Sequence, residues 1–493
     1  MPTDTSLKVI QERENEVYSI RASQQEINIS GWKGGREYID ERLTRFPAES
    51  DADWDGGTRK GGSAFSGRRE QAHLIPYLNR IVTKINQHVF GIVPKRSGIP
   101  TEIKEDISAE GKSLDDLMVK VNSYITTCGW AWIGIDAPVI GVDTEISQEQ
   151  KEDLKIRPYW KAYSPLSIID WHFNLTGELE WLIEEGYTYV GDDPFVPPMN
   201  VRYRKLWQKG SVTVYTYKDG KDEIESEEVI ELSLKDTVPF VLVGEISAEA
   251  WAFDSLESIN RTIMDLESCN RQNFYNSVFP QLVVPVSIMD NVRQQYSLEG
   301  EDAIQAVQGY NYPILVGEND KDPSYLMPDS ASIGVMRTEL NSLRKELFDS
   351  TGLMLQKDTA MAESAAAKAW DFLDVQAVMR ERAKMLQDAE AKAVAISNEW
   401  DAEFPTWEPE YNTDFEIGDF KEEMEALILA SNISMPDEMY KFIAKRVFEL
   451  MKINGKSLSE EEEAILLASI ENFEAIGMEA IDAELVEEVI ESV

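Results

Sequence analysis

The sequence predicts an α+β protein, and three observations carry that prediction. Residues 129–244 hold a series of short stretches rich in Trp, Tyr, Val and Ile, separated by turn residues. Apolar residues recur at three- and four-residue spacing in 74–89, 256–266 and 333–347, which is helical periodicity. Residues 364–400 contain neither Gly nor Pro, so one long helix is expected there.

Each element follows in order. Residues 1 to about 30 are polar and read as a loose helix or an arm. Pro47 to Gly67 is rich in Gly and Asp and reads as a loop. Leu74, Leu78, Ile81, Ile85 and Val89 mark a helix that Gly91 and Pro94 end. Leu114 to Cys128 reads as another helix. The following GWAWIGIDAP reads as a buried strand that Pro138 stops. IRPYWKAY, SIIDWHF, LIEEGYTYV, VRYRKLW, SVTVYTYKDG and VPFVLVGE are further strand candidates, with an Asp-Gly turn at Asp219-Gly220.

From Asp254 the pattern turns helical. Leu256, Ile259, Ile263 and Leu266 form a stripe, and Pro280 ends the helix. Residues 280–330 read as strands and turns, with PQLVVPVSI and YNYPILVGE as candidates. Asp329 or Ser330 can cap the next helix. That helix carries Ile333, Met336, Leu340, Leu343 and Leu347 on one face. Gly352 breaks it. The tail, 419–493, reads as acidic helices, with Ile465-Leu466-Leu467 and Ile481, Leu485, Val489 available for packing.

Length and composition bound the function. At 493 residues the chain is long enough for about three domains. Hydrophobic residues at 43% suffice for a sizeable core. The 90 acidic residues against 48 basic ones give a net charge of −42. Such a surface does not clamp nucleic acid or dock on anionic lipid, yet it can let DNA pass. Cys128 and Cys269 cannot make a disulfide framework, and the start lacks an apolar signal core, so a cytoplasmic origin is expected. His73, His88 and His172 are too few for a His-built metal site. No run of about eighteen apolar residues exists, so no membrane span is expected.

Local motifs stay below what chemistry needs. Asp51, Asp53, Asp55 and Gly56 match the first half of a calcium loop. The twelfth position is Gly62 where a bidentate Glu belongs, and Arg59 and Lys60 add positive charge, so an acidic loop is the plainer reading. Gly455-Lys456-Ser457 resembles the end of a phosphate loop, but Leu450 stands where its first Gly should be. Glu460 to Glu463 after Ser459 reads as a capped first turn of a helix. Trp130, Trp132, Trp160 and Trp171 fit core packing better than stacking on a sugar or base. No nucleophile motif is present, so no enzyme and no cofactor are expected.

Four strings in order carry a family resemblance: REYIDERLTRFPAESDADW (36–54), IPYLNRIVTKINQHVFGIVPKR (75–96), GWAWIGIDAP (129–138) and RPYWKAYSPLSIIDW (157–171). Together they resemble the portal proteins of tailed bacteriophages, in particular a portal-like family long known only as a phage domain of unknown function. VRYRKLW (201–207) and the strand at Pro239-Phe240 fit less tightly. Part of 51–67 does not align, 248–255 departs from the pattern, and the tail beyond 415 is unmatched.

The resemblance implies a portal fold: an α/β wing, a two-helix stem, a β-containing clip, a long helix and a helical crown. Mapped onto this chain it implies an N-terminal arm at 1–30, a wing at 31–253, stem helices at 254–279 and 331–351 and a clip at 280–330. It further implies a channel loop at 352–363, a long helix at 364–418 and a crown at 419–493. It implies stem packing through Ile259, Ile263, Met336, Leu340 and Leu343, and a DNA-facing loop at Gln356, Lys357, Asp358 and Thr359. Lys357 can track phosphates there or pair with Asp358 or Glu363; the sequence leaves both open.

The function so implied is a homododecameric ring at one capsid vertex, the channel for packaging and ejection of double-stranded DNA. Its partners would be the terminase large subunit, a head–tail adaptor and the major capsid protein, with no membrane. The protein would be made in the host cytoplasm and reside in the virion. The alternatives are a packaging enzyme or nuclease, or another head–tail structural protein.

Overall fold

A computed structural model describes residues 4–46, 64–137, 157–190, 199–218, 221, 223–278, 281–285, 314–316, 324–326, 330–351, 365–413, 437–453, 465–466 and 468–470. The chain divides into two compact units, Met1–Thr413 and Asp414–Val493. The protein is mixed helix and sheet, an α+β fold.

The first unit opens with helices α1 (Asp4–Glu12), α2 (Glu16–Lys33), α3 (Gly35–Arg42), α4 (Ala64–Gln71) and α5 (Tyr77–Phe90). The polar stretch expected as a loose helix or arm thus contains α2. It is capped by the Asn15 side chain and buries Arg21, Gln25, Asn28 and Ile29. Helix α4 corrects the loop expected to run to Gly67; residues 47–63 lie outside the described residues. Strand β1 (Lys95–Ser97) and helices α6 (Thr101–Glu105) and α7 (Leu114–Cys128) follow, with Ser113 capping α7.

The β-region then runs through β2 (Trp130–Asp136), β3 (Tyr159–Tyr163), β4 (Ile168–Phe173), β5 (Leu179–Val190), β6 (Met199–Gln208), β7 (Ser211–Tyr217), β8 (Ile224–Glu231) and β9 (Phe240–Gly244). These strands form a three-stranded sheet ordered β3-β2-β9 and a five-stranded meander ordered β4-β5-β6-β7-β8, both antiparallel. One aromatic core joins the sheets: Trp130, Trp132, Tyr163 and Phe240 pack with Trp171, Leu182 and Trp207. All four tryptophans weighed for stacking, Trp160 included, are buried, as core packing requires. Gly129 ends α7 at φ 95°. Gly244 ends β9 at φ 100°, where an added Cβ would lie 2.4 Å from the Gly129 carbonyl oxygen. Only glycine fits this close approach at positive φ.

Helix α8 (Ala252–Val278) leaves the β-region. Strands β10 (Gln281–Pro285), β11 (Ile314–Val316) and β12 (Ser324–Leu326) form a small sheet with β10 in the centre. Helix α9 (Ser330–Asp349) begins at Ser330. Helix α10 (Ala365–Trp400) is 36 residues long, about 54 Å at 1.5 Å per residue. Strand β13 (Glu408–Glu410) pairs with β1. In the second unit the described residues include helix α11 (Asp437–Ile453).

Candidate functional site

The feature that stands apart chemically is the pair α8–α9 and its footing. The apolar stripes read from the sequence meet: Ile263 and Leu340 are buried in one cluster, with Ile259 and Leu343 packed against it. Met336 lies further along, its Sδ 3.7 Å from the Asn273 side-chain amide, which donates to it. Arg344 forms an ion pair with Glu267. Since 273 meets 336 and 267 meets 344, the two helices run antiparallel. The β10–β12 sheet lies between them in the chain.

The opposite face of α8 carries a second stripe that the sequence reading missed. Asp254, Glu257, Asp265 and Ser268 recur at helical spacing and each takes a partner from the N-terminal segment. Arg21 holds Asp254 through two hydrogen bonds of 2.7 and 3.0 Å, and the Asn28 amide adds a third at 2.7 Å. The Tyr38 hydroxyl donates to Glu257 at 2.8 Å. The Thr44 backbone N–H donates to Asp265 at 2.9 Å, and Arg68 donates to the Ser268 hydroxyl at 2.8 Å. The signal was present as polar residues in register one helical face away from the apolar stripe. Their partners lie more than 190 residues off in sequence, where no local pattern reaches.

Two carboxylates three residues apart titrate in opposite directions. Burial alone would raise Asp254, but hydrogen bonds from Arg21, Asn28 and the Trp251 N–H hold it below its ordinary value. Glu257 is raised by burial, which outweighs the Tyr38 hydrogen bond and the nearby Arg261 and Arg42 charges.

Helix α10 has its own anchor. Glu390 is fully buried and accepts four hydrogen bonds: Arg96 Nε at 2.6 Å, Arg96 Nη2 at 3.1 Å, Trp407 Nε1 at 2.9 Å and the Tyr411 hydroxyl at 2.7 Å. Arg96 also reaches Asp115 at 2.6 Å. Each carboxylate oxygen takes two donors, so the buried charge is fully matched. This ties the long helix to β1, α7 and the segment around β13.

The remaining sequence candidates are quickly placed. Gln356, Lys357, Asp358 and Thr359 lie outside the described residues, as do the Asp51–Gly62 loop, Gly455–Ser457 and Ser459–Glu463. Among the described residues no group of three or more His, Cys, Asp or Glu side chains is placed to hold a metal ion. No described helix is long and apolar enough to cross a membrane. Cys128 is buried, and burial pushes its thiol pKa up to about 12, so it is unreactive.

No family model matches the chain, and no curated protein matches it. Solved structures similar to it include a chain of the virion of a native gene transfer agent particle, at 12% identity and TM-score 0.38. Another is a chain from the neck of an empty gene transfer agent particle, at 11% identity and TM-score 0.40. Each alignment covers 79% of this chain and 94% of the other. With TM-scores below 0.5, these likenesses carry no conclusion about this chain.

Proposed function

We propose that this chain is the subunit of a phage-type portal, a dodecameric ring through which double-stranded DNA enters and leaves a capsid. The observation that carries this reading is the helix pair: α8 and α9 run antiparallel, rooted at one end in the folded body, with a small sheet inserted between them and a 36-residue helix after them. That is the order stem, clip, stem, long helix that the sequence resemblance implies. A subunit that repeats around an axis by a heterologous contact closes into such a ring.

The charge fits passage over binding. A basic lining would hold the duplex by counterion release and stall it. Forty-two excess negative charges per chain repel the duplex from the walls of a channel, so it slides. Chemistry would come from elsewhere: the ring would gate and guide, while a terminase docked on residues 280–330 hydrolyses ATP and an adaptor completes the neck. The segment 352–363, with Gln356, Lys357, Asp358 and Thr359, would face the DNA.

Shortening 353–363 tests the reading. The ring should still assemble, because α8, α9 and α10 carry the packing, while packaging or retention of DNA in the particle should fall. Normal packaging and retention of full-length DNA by the shortened variant would remove the gating role from this segment.

A further inference from the structure

The contacts that tie α8 to the N-terminal segment do not stop at Ser268. One turn further on, in the stretch of α8 that buries no side chain, Arg271 reaches the link between α4 and α5. Its Nη2 lies 3.1 Å from His73 Nε2, and its Nη1 donates to the Gln71 carbonyl oxygen at 3.4 Å. A guanidinium has donors only, so His73 Nε2 accepts and the neutral ring carries its proton on Nδ1. Nδ1 is out of contact with water and has no hydrogen-bond partner among the described residues. A second proton can enter only at Nε2, the atom that Arg271 occupies. It would remove the acceptor and set two cations face to face. The charges acting on His73 are Arg271 and Glu267, both on α8. Glu267 is engaged by Arg344 of α9, so protonation would add a third cation around one carboxylate. Burial and then Arg271 hold the imidazole below its ordinary 6.5, and Glu267 offsets only part of this.

We propose that His73 is a pH-sensitive latch on α8: neutral, it accepts from Arg271 and holds residues 269–274 to the α4–α5 link, and protonated, it lets them go. The latch sits where the rooted part of α8 gives way to the bare part, so it sets how far the root extends. This goes beyond the portal reading and does not depend on it. Because the folded pKa lies below the ordinary one, the latch is closed above 6.5 and opens as pH falls through the folded value.

The test uses the full chain and two readings by mass spectrometry. Deuterium exchange at the His73 Cε1 position across pH gives the pKa of the ring, which should lie below 6.5. Amide exchange over 269–274, corrected for the intrinsic rate, is then compared one pH unit above and one below that pKa. Protection there should fall at least about threefold on the acid side, while 254–266 keeps its protection. His73→Gln is neutral at every pH and keeps an acceptor for Arg271, so it should abolish the fall. His73→Lys is a permanent cation and should show the low protection at both pH values. A ring pKa at or above 6.5, or equal protection on both sides of it, would overturn the proposal. So would a fall of the same size in His73→Gln, which would assign the pH effect to other groups, or full protection in His73→Lys.

Discussion

Along α8, the stretch from Phe253 to Ser268 buries Phe253, Leu256 and Ile263 on its apolar side, matches Asp254, Glu257, Asp265 and Ser268 on its polar side, and packs Met264 against Tyr38 and Ile39 of the N-terminal segment. From Cys269 to Phe274 no side chain is buried, and Phe274 is 56% exposed. Helix α9 shows the same gradient in reverse: Leu340 and Leu347 are buried, while Val335 is 71% exposed. One helix pair is therefore rooted at one end and bare at the other. The rooted end gains its order from the body of its own chain. The bare end shows apolar side chains to water, which neighbouring copies in a ring would cover. The two ends should respond to mutation in different observables, subunit stability at the root and assembly at the bare end.

The largest effect is expected at the anchor of the long helix. Glu390→Ala leaves Arg96 buried without its main partner and should lower unfolding free energy by about 3–5 kcal/mol, read from urea unfolding of the dissociated subunit. A loss below about 1 kcal/mol would show that α10 is not anchored through this pair.

A paired substitution on α9 tests the gradient itself. Leu340→Asp places a charge in the buried seam with Ile263 and should lower subunit stability by about 3 kcal/mol or more. Val335→Asp, five residues earlier, meets water and should change it by no more than about 0.5 kcal/mol, while weakening ring assembly. Equal effects on subunit stability at both sites would abolish the distinction between root and bare end.

The smallest effect is a change of slope with pH. The folded pKa of Glu257 is raised above its ordinary 4.5. Its contribution to stability is therefore full below that value and lost as pH rises through the folded pKa. Asp254 is lowered below 3.8, so its contribution is present above that value and lost as pH falls through the folded pKa. Glu257→Gln is permanently neutral and keeps an acceptor for the Tyr38 hydroxyl. It should equal or exceed the wild type in stability at pH 7, with the difference shrinking toward pH 5. A variant less stable than wild type at pH 7, with a difference independent of pH, would contradict the assigned sign.

Much of the fold was legible in the sequence. The α8 and α9 stripes meet in one apolar cluster and the strands from Trp130 to Gly244 build another, so each left an apolar pattern, while α10 showed itself as a run free of Gly and Pro. What was not legible depends on distant partners or weak local signals. Strand β8 reads IESEEVIE, charged on both faces, since it is the edge of the meander with little to bury. Strands β1, β12 and β13 are three residues each, too short for a pattern. The burial of α2, expected only as a loose helix or an arm, was not legible because its buried face is largely polar: Arg21, Gln25 and Asn28 are buried to serve Asp254 and backbone carbonyls of Cys128 and Thr127. Arg96 and Glu390 are separated by 294 residues, and nothing near either residue announces the other.

The central claim is that the bare end of the helix pair is completed by copies of the same chain around an axis. Native mass measurement of the purified full-length protein tests it most directly, with imaging of the same sample. The account predicts a closed species near 670 kDa for about twelve copies of a 56.0 kDa chain, seen as rings with a central opening. A stable 56.0 kDa monomer at micromolar concentration, with no rings, would contradict it.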